Sequence, residues 1–225
     1  MKIKFGAIVT DGRGKIGGHV ASKNRGGAYL RTKVTPSNPN TVAQSTARTL
    51  LASIAQGWSG LTEEQRLAWN NAVSDWSKTD IFGDIKNPSG LNLYVKLNAN
   101  LLGSQQSAIS VPPVKVEMPT AHLVSASYSV GNAELTLVFS NTSANTVMCL
   151  VRATASLSAG TSYVKNAFRV IDSSFVASGG LTLANSYENK FGTPSIGANI
   201  FVSTQFVEST GQKSVESTVK AVVVA

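Results

Sequence analysis

From residue 120 onward the chain breaks into seven short apolar runs, and no other feature constrains the fold as much. They read HLVSASYSV, AELTLVFS, TVMCLVRATA, YVKNAFRVI, FVASGGLTL, ANIFVSTQFV and KSVESTVKAVVV. Gly131-Asn132, residues 141–145, Gly160, Gly192 and Gly211 punctuate them, and Val147, Cys149 and Val151 alternate with their neighbours as one face of a strand does. Seven strands without intervening helices predict an all-β, immunoglobulin- or fibronectin-like sandwich over residues 120–225. A single cysteine, Cys149, excludes an intramolecular disulfide, so packing alone must hold the strands together. Within TVMCLVR its expected role is that of a small buried hydrophobe.

The preceding residues have a different period. Ala43, Ala47, Leu50, Leu51, Ile54, Ala55 and Trp58 fall on one helical face, with Asn40 or Thr41 as the expected cap and Gly57 and Gly60 at the end. Thr62 with Gln65 forms a capping-box pattern for a second helix, whose first turn holds Glu63 and Glu64 at the positive end of the dipole. Its stripe continues through Trp69, Ala72, Val73 and Trp76, and the tryptophans read as core rather than as a stacking platform. LNLYVKLNANLL, ended by Gly103, is a third helix, and SQQSAISVPPVKVEMP, with Pro112, Pro113 and Pro119, is a linker. Residues 1–36 show no sustained period and carry glycines at 6, 12, 14, 17, 18, 26 and 27, which predicts an extended arm with up to two short strands. The expected fold class is therefore α+β, with an extended Gly-rich basic arm (1–36), a small domain of about three helices (37–103), a linker (104–119) and the sandwich (120–225).

Charge is concentrated at the start. Residues 1–33 hold Lys2, Lys4, Arg13, Lys15, Lys23, Arg25, Arg31 and Lys33 against Asp11 alone, a net +7 of the chain's +8. Such a segment meets nucleic acid, an anionic surface or an acidic patch on another protein. Only Tyr29 is interleaved with the cations, which argues against stacking on single-stranded bases. FGAIV is too short for a signal-peptide core and no run reaches about 18 apolar residues, so use without secretion and no membrane partner are expected.

Gly12-x-Gly14-x-x-Gly17 has the spacing of a dinucleotide-binding loop but not its surroundings. The chain continues into GHVASKNRGG, which has no helical period, and KVTPSNPNT supplies no acid about twenty positions on. Lys15 is also misplaced for a phosphate-binding P-loop. His19 and His122 make no zinc pattern, and no Cys, His or carboxylate cluster joins them. A serine nucleophile would lack an evident base. The expectation is a non-enzyme with no catalytic residue, cofactor or metal.

One ordered series of motifs is more specific. GKIGG (14–18), RGGAYLR (25–31), NPNTVAQSTAR (38–48), WSGLTEEQRLAW (58–69) and SGLNLY (89–94) together resemble a family of structural proteins of tailed bacteriophages and prophages. The resemblance spans about residues 12–100. It implies a non-enzymatic virion protein assembled in the host cytoplasm, with other virion proteins as partners and many copies in a symmetric assembly. Immunoglobulin-like appendages are frequent on such virions, in keeping with the strand pattern. A head auxiliary or decoration protein is the first expectation, and a neck or tail protein the alternative. The anchoring residues are expected to be Arg13, Lys15, Gly17, Gly18, Lys23, Arg25, Gly26, Gly27, Tyr29 and Arg31 in the arm, with Asn38, Pro39 and Arg48 at the helix start. Two readings of other classes use different parts of the chain: sequence-independent nucleic-acid binding by the arm, and glycan binding by the sandwich.

Overall fold

Alternating apolar residues on seven strands converge on one core in the computed structural model, which describes residues 1–6, 11–24, 26–118, 121–140, 147–176 and 180–225. Leu135, Leu137 and Phe139 come from one strand, Cys149, Val151 and Ala153 from the next, and Ile200, Val202 and Phe206 from a third, all buried. Period-two spacing places each set on one side of the sheet. The chain forms two compact units, Met1–Thr49 with Ser77–Asn87 and Leu50–Trp76 with Pro88–Ala225.

In the first unit, β1 (Lys2–Ile3), β2 (Gly14–Ile16), β3 (His19–Asn24) and β4 (Gly27–Thr32) make an antiparallel sheet in the order β1-β4-β3-β2. Residues expected to extend as an arm are thus paired with one another. Ile16 opposes His19, leaving Gly17-Gly18 as a two-residue turn, and the φ of +56° at Gly17 is one that glycine adopts freely. Asn24 Oδ1 accepts the Gly26 N–H at 2.9 Å in the second turn. Arg25 lies outside the described residues. A two-stranded hairpin, β5 (Lys78–Thr79) with β6 (Ile85–Lys86), completes the unit.

Helix α1 (Val42–Gly60) begins in the first unit and ends in the second. Thr41 Oγ1 accepts the Gln44 N–H at 3.3 Å, the capping role that the sequence left between Thr41 and Asn40. Helix α2 (Glu63–Asn71) has the full capping box, with Thr62 and Gln65 each accepting the other's backbone N–H, and tightens into a 3₁₀ turn over Ala72–Trp76. Helix α3 (Gly90–Gly103) follows, capped by Ser89. The Tyr94 ring of α3 lies 5.5 Å from Trp58 and 5.3 Å, edge-on, from Trp69. Trp69 and Trp76 are buried in the same cluster and Trp58 packs half-buried against it, so the tryptophans serve as core.

The linker residues described are bonded along their length. Buried Asn98 accepts the Ile109 N–H at 2.7 Å and donates to its carbonyl, and Trp69 Nε1 donates to Ser110 O at 2.8 Å. Gln212 pairs with both backbone groups of Val116.

The remaining strands are β7 (Leu123–Ser129), β8 (Glu134–Phe139), β9 (Met148–Ala153), β10 (Arg169–Phe175), β11 (Gly180–Ala184), β12 (Asn199–Val207) and β13 (Ser217–Val224). Hydrogen bonding does not divide them into the two sheets expected of a sandwich. It runs through all seven in the order β10-β9-β12-β13-β7-β8-β11. The link is β7, antiparallel to β8 along its length and parallel to β13 at its end, where Ser127, Tyr128 and Ser129 oppose Val222, Val223 and Val224. The sheet is rolled about its core, and its end strands β10 and β11 approach without pairing among the described residues. YVKNAFRVI, expected to be strand throughout, enters the ladder only at Arg169.

Candidate interaction surface on the N-terminal sheet

The register of β1–β4 sorts the N-terminal side chains into two faces. Lys15 opposes Val20, which opposes Arg31, and Lys2 opposes Tyr29. Successive residues alternate sides, so Lys2, Lys15, Val20, Tyr29 and Arg31 share one face, while Ile3, Ile16, His19, Ala21, Lys23, Ala28 and Leu30 share the other, a face that is mostly apolar. Lys33, two residues beyond Arg31 and bonded through its N–H to Gly18 O at 2.8 Å, continues the basic row. Ala21 alone is buried among the residues of these four strands, and Ile16 is 69% exposed. On the apolar face Met1, Ile16, His19, Leu30 and Thr32, with Arg31, line a groove of about 640 Å³. Edge strand β2 is three exposed residues long, and no strand pairs with its outer side among the described residues.

Several of the expected anchoring cations are already engaged. Asp11 Oδ2 is shared by Arg13 Nε at 3.9 Å and Lys23 Nζ at 3.6 Å, exposed pairs of small energetic weight. Arg48 donates to Asn38 Oδ1 at 2.5 Å and Asn40 Oδ1 at 3.2 Å, bracketing Pro39 and fastening the chain entering α1 to the helix's second turn. Lys15, Arg31 and Lys33 have no ion-pair or side-chain hydrogen-bond partner among the described residues. The structure thus brings Lys15, Tyr29 and Arg31 together on one face, places Gly17, Gly18, Gly26 and Gly27 at or beside the two turns, and keeps Asn38, Pro39 and Arg48 as a local clamp.

The sequence reading missed a charged lock in the same unit. Asp80 Oδ1 accepts the N–H groups of Phe82 at 2.8 Å and Asp84 at 3.1 Å, and its Oδ2 lies 3.5 Å from Lys2 Nζ. Asp84 takes Lys4 at 3.1 Å and Lys86 at 3.7 Å, and Lys4 Nζ stands 5.1 Å from the Phe82 ring centroid. The Asp80 side chain is 5% exposed. The Phe82 N–H foremost, with the Asp84 N–H and Lys2, holds its carboxyl below the usual aspartate range. The aspartates flanking IFG were the available local signal, a side-chain-closed turn.

Elsewhere, Ser140 Oγ and His122 Nδ1 stand 2.8 Å apart, but Ser140 Oγ also accepts the His122 N–H, as a strand-end bond does. Neither residue is buried, and no acid orients the ring among the described residues. Cys149 is fully buried, and desolvation pushes its thiol up to about 12.

No protein-family model matches the chain, and no curated protein sequence matches it. Among solved structures it is similar to a β-1,2-glucanase from Parabacteroides distasonis, at 10% identity and a TM-score of 0.32 over 50% of this chain. The matched stretch spans 14% of that enzyme.

Proposed function

We propose that the chain is a non-enzymatic structural protein of a tailed-phage virion, a head auxiliary or decoration protein that docks on neighbouring subunits through its N-terminal sheet. One observation carries this reading: a four-stranded sheet whose strands bury a single residue has a mostly apolar face on one side and, on the other, cations without a partner among the described residues. So small a sheet does not bury enough apolar surface to offset its ordering entropy. An assembly supplies the missing partner, with strand addition at β2 and acidic sites facing Lys15, Arg31 and Lys33. The ordered motifs over residues 12–100 support the same class, and a neck or tail position is the alternative within it.

The strand order supports an immunoglobulin-like appendage as the rest of the protein. Taking β7 as the first strand, β7-β8-β11 follows the A-B-E order and β13-β12-β9 the G-F-C order of that fold, with the parallel β7–β13 pair bridging the halves.

The test adds purified full-length protein to particles that lack it and measures occupancy by sedimentation and image reconstruction. Saturable occupancy that falls at least about tenfold in K15E/R31E/K33E is expected, the size of several exposed charge contacts reversed together. Unchanged occupancy of that variant refutes the docking surface. The three unpaired cations beside Tyr29 also favour a second reading, sequence-independent binding to nucleic acid. On that reading random duplex DNA binds at micromolar affinity with a log–log salt slope of about −3, one counterion per contact.

A further inference from the structure

A second site lies on the C-terminal sheet. Ile200, Val202 and Phe206 of β12 face the core, so Phe201 and Ser203 project from the opposite side. Phe201 is nevertheless buried, and its outer face forms part of a groove of about 570 Å³ walled by residues 162–168. The base of that wall is fixed. Buried Asn199 donates through Nδ2 to the carbonyls of Ala159 at 2.8 Å, Thr161 at 3.1 Å and Ser158 at 3.4 Å. Its backbone exchanges two further bonds with Leu157, and Thr154 exchanges bonds with Phe201. One side chain thus presets the turn from which Tyr163 and Lys165 rise into the groove.

The lining combines aromatic, hydroxyl, acidic and basic side chains. Tyr163 is 75% exposed, and Phe168 and Phe201 add apolar surface. Thr218, Lys220 and Glu216 enter from β13 and the residue before it. Glu216 is held through Oε1 by Arg152 Nη1 at 3.0 Å and by Ser203 Oγ, and no described residue donates to its Oε2. Lys165 and Lys220 have no side-chain partner among the described residues.

We propose that this groove binds an acidic saccharide. The C–H face of a pyranose stacks on the Tyr163 ring, Thr218 and Glu216 Oε2 pair with ring hydroxyls, and Lys165 and Lys220 hold the carboxylate. A simple inorganic anion would leave the aromatic wall unused, and an apolar peptide would leave two ammonium groups unpaired. A nucleic-acid strand needs a longer row of cations and would meet the Glu216 carboxylate. The site is independent of the N-terminal sheet and stands or falls apart from the virion reading.

The test titrates full-length protein with trigalacturonate, its uncharged methyl ester and oligothymidylate. Affinity is read by calorimetry and ring contact by saturation-transfer NMR. The acid is expected to bind about tenfold more tightly than the ester, an advantage that K165A/K220A removes, as two exposed charge contacts imply. Y163A, at an exposed position where folding is unaffected, abolishes saturation transfer to the ring protons, and K15E/R31E/K33E leaves binding unchanged. No binding of the acid at 10-millimolar order (~10 mM), equal binding of acid and ester, or loss of binding in the N-terminal variant alone overturns the proposal. Preference for oligothymidylate through the same groove residues also overturns it, in favour of nucleic acid.

Discussion

Gly211→Ala tests whether α3 and the seven-stranded sheet are as tightly joined as the geometry requires. Gly211 lies in the turn between β12 and β13, donates to Glu208 O at 2.8 Å and has φ +77°. A Cβ there would stand 2.6 Å from Leu97 O and 3.0 Å from Leu97 C and Cα, all backbone of α3. The left-handed conformation costs a non-glycine residue about 1–2 kcal/mol. Forcing a methyl group into a packed interface adds about 1–3 kcal/mol. Asn100 Nδ2 donates to Gly211 O at 2.8 Å, and displacing the turn gives up that bond, worth about 1 kcal/mol. Gly197→Ala separates these contributions, because Gly197 has φ +79° with nothing within 4 Å of its Cβ position. Urea unfolding, followed by tryptophan fluorescence and by circular dichroism, should give a loss of about 1–2 kcal/mol for Gly197→Ala and about 3–6 kcal/mol for Gly211→Ala. The second corresponds to roughly 6–24 °C in Tm for a unit of this size. Equal losses within about 0.5 kcal/mol would refute the helix–sheet contact, since backbone strain alone would then explain both.

Three other expectations follow from single contacts. Cys149, fully buried with its thiol raised to about 12, should resist a thiol reagent at about pH 8 in the folded protein and react once denaturant opens the core; stoichiometric labelling of native protein within a minute contradicts this. Asp80, with its carboxyl depressed in the fold, contributes stability above its unfolded pKa of about 4 and loses it as pH falls through the lower folded value. Protection of the Phe82 and Asp84 amides, taken against their intrinsic exchange rate at each pH, should therefore fall only below about pH 4 in the native protein and be low already at neutral pH in Asp80→Ala; identical profiles would remove Asp80 as the lock. Thr62→Ala breaks the capping box and should cost about 1 kcal/mol in the same urea assay, whereas a loss under about 0.2 kcal/mol would mean that α2 is held by Trp69 packing alone.

What the sequence disclosed and what it hid divide by the range of the interaction. Thr62 and Gln65 were readable as a helix start because both halves of a capping box lie within four residues. Runs such as AELTLVFS, TVMCLVRATA and ANIFVSTQFV were readable as strands because the core face of each is written in its own alternation. YVKNAFRVI misled because Tyr163 and Phe168 line the sheet's outer side rather than join its ladder, and composition does not distinguish the two. The rolled single sheet depends on β7 pairing with β13, almost a hundred residues away, for which no local signal exists. Residues 1–36 lacked a period because Gly17-Gly18 and the turn at Gly26 break the strands into pieces too short to show one. The amphipathic faces exist only once Lys15, Val20 and Arg31 stand side by side.

The same pairing changes what the basic segment can do. Counted from sequence, residues 1–33 offer a grip of +7, and a duplex-binding segment that used it all would have a salt slope near −6. In the fold, Lys2 and Lys4 are committed to Asp80 and Asp84, and Arg13 and Lys23 lean on Asp11. Apart from Arg25, outside the described residues, the cations with no partner among the described residues are Lys15, Arg31 and Lys33, which lie in one row and have a mostly apolar face behind them. Three aligned cations backed by Ile16 and Leu30 make a weak polyelectrolyte but a directional surface. Affinity then depends on whether the partner covers the apolar face as well, a requirement that a folded protein neighbour meets and a phosphate backbone does not.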